Sequence, residues 1–323
     1  FNDFSGGIAA SGGTLSNLNA LIAARNNAGL GTNPNSVLLV SEDAHSSFVK
    51  CIRVMGLDTR NLVRIKTDNQ GRMDINDLRK SLDKCSIENK KIFAIVATLG
   101  TTVRGAIDPI KEISEICKQR NIWLHIDGSI GGIFAITSIP IEGLNNINQA
   151  NSITINPQKI IGITKTSSLL LVSNMSTLEN TFNTGLPYIS SKENIINRGE
   201  IGIQGSRPAE VIKLWLGLRF LGLNGIENIL KSSIKRKDFF VKNISKNKFD
   251  IYSGPLHIVS FLPNKLEPKD SDAWTQTKVN ELINNNFMLS RPKFKGKYFL
   301  RVVMGNYNTK DSHIEELLRL LDA

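Results

Sequence analysis

The chain reads as an α/β protein, a mostly parallel central sheet covered by helices with a small α/β domain at the C-terminal end. Short β-branched apolar runs alternate with amphipathic stretches through the first 175 residues, which indicates βαβ units. One run, 92–97, is apolar throughout, as expected of a strand covered on both faces. Two others, Trp123-Leu-His-Ile-Asp127 and Ser152-Ile-Thr-Ile-Asn-Pro-Gln-Lys159, stop abruptly in polar residues, the pattern of buried strands that carry a side chain to the sheet edge.

In order, strands are expected at 37–40, 62–65, 92–97, 122–126, 152–155 and 168–172, with helices at 46–55, 75–82 and 110–119 between them. The turn Asn69-Gln-Gly71 precedes the second of these helices. From 178 to 204 the pattern dissolves into Asn, Ser and Gly, which reads as a mobile loop closing a large domain, 1–204. Helices at 208–221, with Pro208 in the first turn, and at 225–241 open the second part, 205–323. Strands at 258–262 and 299–303 and helices at 274–285 and 311–321 complete it.

At 323 residues and 41% hydrophobic content there is ample material for a sizeable core. No apolar run is long enough to suggest a membrane span, and the start, Phe1-Asn-Asp-Phe-Ser, is no signal peptide. It has no Met, and the expectation is a fragment or trimmed chain. The formal charge of +11 is spread along the chain, with one local cluster over 231–248. Without a basic tail, zinc-ligand spacing or stacking motif, it reads as a lysine-rich surface rather than a nucleic-acid interface. Cys51, Cys85 and Cys117 form neither a disulfide framework nor a metal site, and a reducing cytoplasm is the expected compartment.

Ligands of open α/β sheets bind beyond the carboxyl ends of the strands, so Asp127 and Lys159 are expected at one crevice. A lysine and an aspartate so placed serve together in pyridoxal phosphate enzymes, as Schiff-base amine and as partner of the pyridine nitrogen. Burying a carboxylate at the end of an apolar strand is costly without such a partner. Lys165, six residues on, is the alternative amine, but Lys159 follows directly on the strand and an Asn-Pro turn. Ser11-Gly-Gly-Thr14 opens a helix whose N-terminal amides suit a phosphate, and Thr14 is placed to cap it. Its plain alternative is an ordinary capped helix. His45 follows the first expected strand, either to stack on a flat cofactor or simply to start a helix. Thr98-Leu-Gly-Thr-Thr102 is either a set of ring contacts or a strand-to-loop turn.

Together these segments resemble, in order and spacing, the group II pyridoxal-dependent decarboxylases, which include glutamate, aromatic amino acid, cysteine sulfinate and diaminobutyrate decarboxylases. The matching text includes Ser-Gly-Gly-Thr14, Asp-Ala-His45-Ser-Ser, Ala-Thr-Leu-Gly-Thr-Thr102, Trp-Leu-His-Ile-Asp127-Gly and Asn-Pro-Gln-Lys159. It continues through Gly205-Ser-Arg207, Lys213-Leu-Trp215 and Leu300-Arg-Val-Val303. The resemblance implies a fold-type I transferase-like architecture, pyridoxal 5′-phosphate as cofactor, an L-amino acid as substrate and a homodimer. It also implies Lys159, His45 and Asp127 as catalytic residues. Gly13 and Thr14 would hold the phosphate, and Asn156 and Thr102 would add cofactor contacts.

Three departures from the family pattern stand out. Gln158 occupies the place of the usual histidine before the Schiff-base lysine, and glutamine cannot act as an acid at neutral pH. The only tyrosine in 178–204, Tyr188, lies earlier than the loop tyrosine of many members. The N-terminal helical region usual in the family does not precede Phe1. Decarboxylation is the leading reading. The others are oxidative deamination or transamination on the same scaffold, and a non-catalytic basic binding module.

Overall fold

The computed structural model describes residues 2–164, 167–185 and 197–322. Its elements are β1 (Gly6–Ala10), α1 (Gly13–Asn27), β2 (Ser36–Ser41), α2 (Ser47–Val54), β3 (Leu62–Ile65), α3 (Ile75–Ile87), β4 (Lys91–Thr98), α4 (Ile110–Arg120) and β5 (Trp123–Gly128). They continue with β6 (Ser152–Ile155), β7 (Ser168–Val172), α5 (Ser176–Phe182), α6 (Glu210–Asn243), β8 (Phe249–Ser253), β9 (Ile258–Pro263), α7 (Ser271–Asn284), β10 (Lys293–Phe294), β11 (Lys297–Tyr298), β12 (Leu300–Val303) and α8 (Asp311–Asp322).

Seven strands form the large sheet in the order β1-β7-β6-β5-β4-β2-β3. From β3 to β6 all pairs are parallel, while β7 runs antiparallel to both β6 and β1. Side-chain alternation assigns each face its cover. Leu38, Val40, Ala94 and Val96 pack with Leu21 of α1 and Phe48 and Ile52 of α2. Val37, Leu39, Ile95 and Ala97 pack with Leu78 of α3 and Ile113 of α4. Each Val, Leu, Ile or Phe side chain among these, fully buried, contributes about 1.5–3 kcal/mol of transfer free energy. The alternation also sends His125 and Asp127, two and four residues after Trp123, to the face that α1 covers.

Three strands in the order β12-β9-β8, all antiparallel, make the small sheet. Phe249 meets Phe261 edge-on at 5.5 Å in a core shared with Leu317 of α8. The two helices expected at 208–221 and 225–241 form one stretch, α6, broken only at Gly222, where φ is 61° and ψ 174°. Its middle (Ile226, Leu230) packs on the large core and its end (Phe240) on the small one. Ser176–Phe182 is helical within the stretch expected as loop, because Leu178 is fully buried beside Ile8 and Ile201. Residues 186–196 of the expected loop, Tyr188 among them, lie outside the described residues, as does Lys165.

One buried acid ties the end of β4 to the loop that precedes α3. Asp108 is 1% exposed, and its two carboxylate oxygens accept the backbone N–H groups of Met73 and Thr98, each at 2.7 Å. Burial nevertheless pushes its carboxyl up to about 7. Replacing it by Asn sets an amide N–H against a backbone donor, so Asp108→Asn is expected to lower the unfolding free energy by about 1–3 kcal/mol. With a folded pKa raised from 3.8, this group's contribution is full below that value and is lost as pH rises through about 7. Urea unfolding across that range should show the slope in the parent chain and a flatter profile in the Asn variant.

Candidate active site

Gly13, Thr14, His45, Thr102, Asp127, Asn156 and Lys159 all line one cavity of about 200 Å³ at the carboxyl ends of β2, β4, β5 and β6. A larger open groove of about 710 Å³, between 68–76 and 251–255, contains none of them. The sheet order explains the convergence: β5 and β6 are neighbours, so Asp127 and the turn after β6 sit side by side.

Asp127 is 5% exposed and tightly oriented. Its Oδ2 accepts from Asn17 Nδ2 at 3.2 Å and its Oδ1 from the Ser129 N–H at 3.1 Å. A chain of hydrogen bonds fixes Asn17 in turn. Trp123 Nε1 donates to Ser152 Oγ at 2.8 Å, which leaves the Ser152 hydroxyl to donate to His125 Nδ1, also at 2.8 Å. His125 Nε2 then donates to Asn17 Oδ1 at 3.1 Å. This order requires a neutral His125, and burial pushes its pKa down to about 4.

Lys159 ends a short 3-10 turn, Pro157–Lys159, directly after β6. Among the described residues nothing hydrogen-bonds or ion-pairs with its ammonium. The protein packed around it lowers its pKa, Asp127 opposes that shift, and Arg301 adds to it. Asn156, 5% exposed, accepts from Ser168 Oγ at 2.5 Å. Gln158, the departure from the family pattern, turns its Oε1 to the Ser167 N–H and is not among the cavity's lining residues.

The start of α1 meets the same cavity. Gly12, at φ 133°, is the N-cap residue, and no side chain caps the helix. Thr14 therefore does not cap it as expected; it lies within the first turn, and its side chain stays free to face the cavity. A Cβ at Gly13 would approach Asn156 Nδ2 to 2.6 Å and Ser129 Oγ to 2.9 Å, so only glycine lets these polar groups close over the helix start. His45 Nδ1 accepts the Ser47 N–H at 3.1 Å, which places the ring proton of the neutral form on Nε2. Desolvation lowers the His45 pKa, Asp127 raises it, and Lys159 and Lys50 lower it.

Several site residues were not singled out from the sequence. Asn17, Ser47 and Ser129 also line the cavity, beside Thr98 of the Thr98–Thr102 motif. Asn17 carried a signal: it lies one helical turn beyond Thr14, on a face of α1 otherwise committed to the core. Arg301 of β12 is half-buried; it donates to Thr102 O at 2.6 Å and Ser290 Oγ at 2.9 Å, and among the described residues no carboxylate pairs with it.

The cavity suits a phosphorylated, ring-bearing cofactor. Ser47 Oγ and Thr98 Oγ1 are buried in its wall without a hydrogen-bond partner. Free amides at a helix start, an oriented carboxylate and a lone lysine complete the set.

Residues 1–261 match the family profile described as the pyridoxal-dependent decarboxylase conserved domain. The chain is 30% identical, over 99% of its length, to an aromatic-L-amino-acid decarboxylase of Bacillus atrophaeus, of which the match spans 68%. It is 31% identical over 75% of its length to the acidic amino acid decarboxylase GADL1 of Mus musculus, of which the match spans 46%. The crystal structure of mouse CSAD in apo form superposes with a TM-score of 0.88 at 25% identity, over 98% of this chain and 71% of that one. The chain therefore belongs to the pyridoxal-dependent decarboxylase family, fold-type I enzymes that use pyridoxal phosphate to remove carbon dioxide from amino acids.

Proposed function

We propose that this chain decarboxylates an L-amino acid with Lys159 as the amine that holds pyridoxal phosphate. The observation that carries the reading is the convergence, on one cavity at the helix start of α1, of a lysine with no partner among the described residues and a buried, oriented Asp127. When bound, the cofactor supplies an electron sink for the pair released as the substrate carboxylate leaves. Gly13 and Thr14 would hold the phosphate through their backbone amides and the Thr14 hydroxyl. Asp127 would pair with the pyridine nitrogen and keep it protonated, and His45 would stack on the ring. Asn156 and Thr102 add polar contacts at the cavity wall. The depressed pKa of Lys159 makes its amine available as a nucleophile below the usual lysine range. Arg301, which no carboxylate among the described residues pairs with, has Nη2 left to bind the carboxylate of the incoming amino acid.

A homodimer is part of this proposal. Val211, Ile212, Trp215, Leu216, Phe220 and Leu223 stand 48–90% exposed at helical spacing along the first half of α6. An apolar stripe of this kind marks an interaction surface, and a second copy would cover it. The cytoplasm is the proposed compartment, supported by three buried free cysteines. Among the described residues no helix is long and apolar enough to cross a membrane.

The reaction is tested by incubating the cofactor-loaded chain with a panel of L-amino acids and measuring carbon dioxide and amine together. Equal yields of both support decarboxylation. Aldehyde or keto acid in place of amine identifies the other pyridoxal reactions.

Asp127→Asn is expected to retain the cofactor and lose turnover by orders of magnitude, because the charge that protonates the ring is gone. The same change removes the group that raises the Lys159 pKa, so cofactor capture should reach its plateau at lower pH in the variant. Near-parental turnover would contradict the assigned role. For assembly, light scattering of the loaded chain should give twice 35.7 kDa, and Phe220→Glu should shift the population toward monomer. A parental chain that is active as a stable monomer would remove the dimer from the proposal.

A further inference from the structure

Behind the cavity wall lies an ion pair that the cofactor contacts do not explain. Arg104 and Asp43 have side chains only 7% and 2% exposed. Arg104 Nε and Nη2 both donate to Asp43 Oδ2, at 3.0 and 2.5 Å, and Nη2 also donates to Thr67 Oγ1 at 3.2 Å. The guanidinium lies on the backbone of Gly71, where a Cβ would meet Nε at 2.5 Å, and its other side faces the Phe294 ring, 4.7 Å from the centroid. Burying such a pair returns little net stability compared with apolar packing. What it supplies is direction: a planar fork fixes the relative placement of the segments it joins.

Those segments are the walls of the cavity. Asp43 precedes His45 by two residues, and Arg104 follows Thr102 by two. The small domain grips the second segment through three successive carbonyls, one from each strand of its sheet or that strand's end. Thr102 O accepts from Arg301 of β12 at 2.6 Å, Val103 O from Ser260 Oγ of β9, and Arg104 O from the N–H of Gly254 after β8 at 2.7 Å. It also grips the first. Lys295, in the turn joining β10 to β11, pairs with Glu42 at 2.9 Å, and Glu42 in turn accepts from the Thr67 N–H and hydroxyl at 2.9 and 2.8 Å.

We infer that Arg104 is a positioning residue for the cofactor site. Through Asp43 and Thr67 on one side and Phe294 on the other, it sets the His45 turn and the Thr102 loop relative to each other and couples both to the docked small domain. The importance of that placement for catalysis rests on the cavity being the pyridoxal phosphate site.

The latch is read without cofactor, through the nitrogen shifts of the four histidine rings. In the parent, His45 is expected to show a single neutral tautomer with the proton on Nε2, fixed by the Ser47 N–H. Arg104→Ala should average the two His45 tautomers while leaving the His125 signal unchanged. Arg104→Lys, which keeps the charge but loses the fork, should restore the parental signal only in part. Phe294→Leu combined with Lys295→Ser, distant from the cavity, should move His45 in the same direction, and this pair decides the matter if Arg104→Ala does not fold. In the loaded protein, turnover of Arg104→Ala should fall on the order of 100-fold with cofactor still bound. An unchanged His45 signal in a folded Arg104→Ala chain, or in the hairpin variant, would overturn the inference. Failure of the parent to bind pyridoxal phosphate would instead retract the reading of the cavity, and the His45 signal alone would then decide whether the latch exists.

Discussion

A carboxylate held at the buried end of a parallel strand is the constraint on which the rest of the site depends. Asp127 sits where β5 leaves the sheet, and water is replaced there by Asn17 and the Ser129 amide. Each donor is itself held. Asn17 answers to His125, His125 to Ser152, and Ser152 to Trp123, so a row of side chains on one face of β5 and its neighbours fixes a single charge. Such a chain works only with a neutral imidazole, and the depth at which His125 is buried keeps it so. Remove the sheet order that sets β6 beside β5 and neither Ser152 nor Lys159 reaches its place.

The three-stranded sheet also shapes the cavity. Arg301, Ser260 and Gly254 bond three consecutive carbonyls of the loop that carries Thr102, so the shape of the cavity depends on where the small sheet sits. Arg301 acts twice: its guanidinium holds Thr102 O, and its charge adds to the lowering of the Lys159 pKa that burial causes. A half-buried cation that no carboxylate among the described residues pairs with is destabilising in isolation.

Much of this was legible in the residues. The short runs at 92–97, 152–155 and 168–172 became β4, β6 and β7, because brief stretches dominated by apolar side chains have few alternatives in a covered sheet. Asp127 and Lys159 stood out because a polar group ending an apolar run is costly without a purpose. Other features had no local signature. β1 has two glycines and pairs with a strand more than 150 residues away, so its partner rather than its composition makes it a strand. Ser176–Phe182 took its helical form from the burial of Leu178 against distant residues. Arg104 and Asp43 look like ordinary loop charges in sequence, and only the fold reveals that they are buried together.

Lys159 as the amine that holds the cofactor is tested most directly by loading the chain with pyridoxal phosphate, reducing it with borohydride and mapping the peptides by mass. The geometry predicts a pyridoxyl group on Lys159, at the turn after β6 and facing Asp127 across the cavity. A pyridoxyl group on Lys165 instead, or none on either lysine, would contradict it.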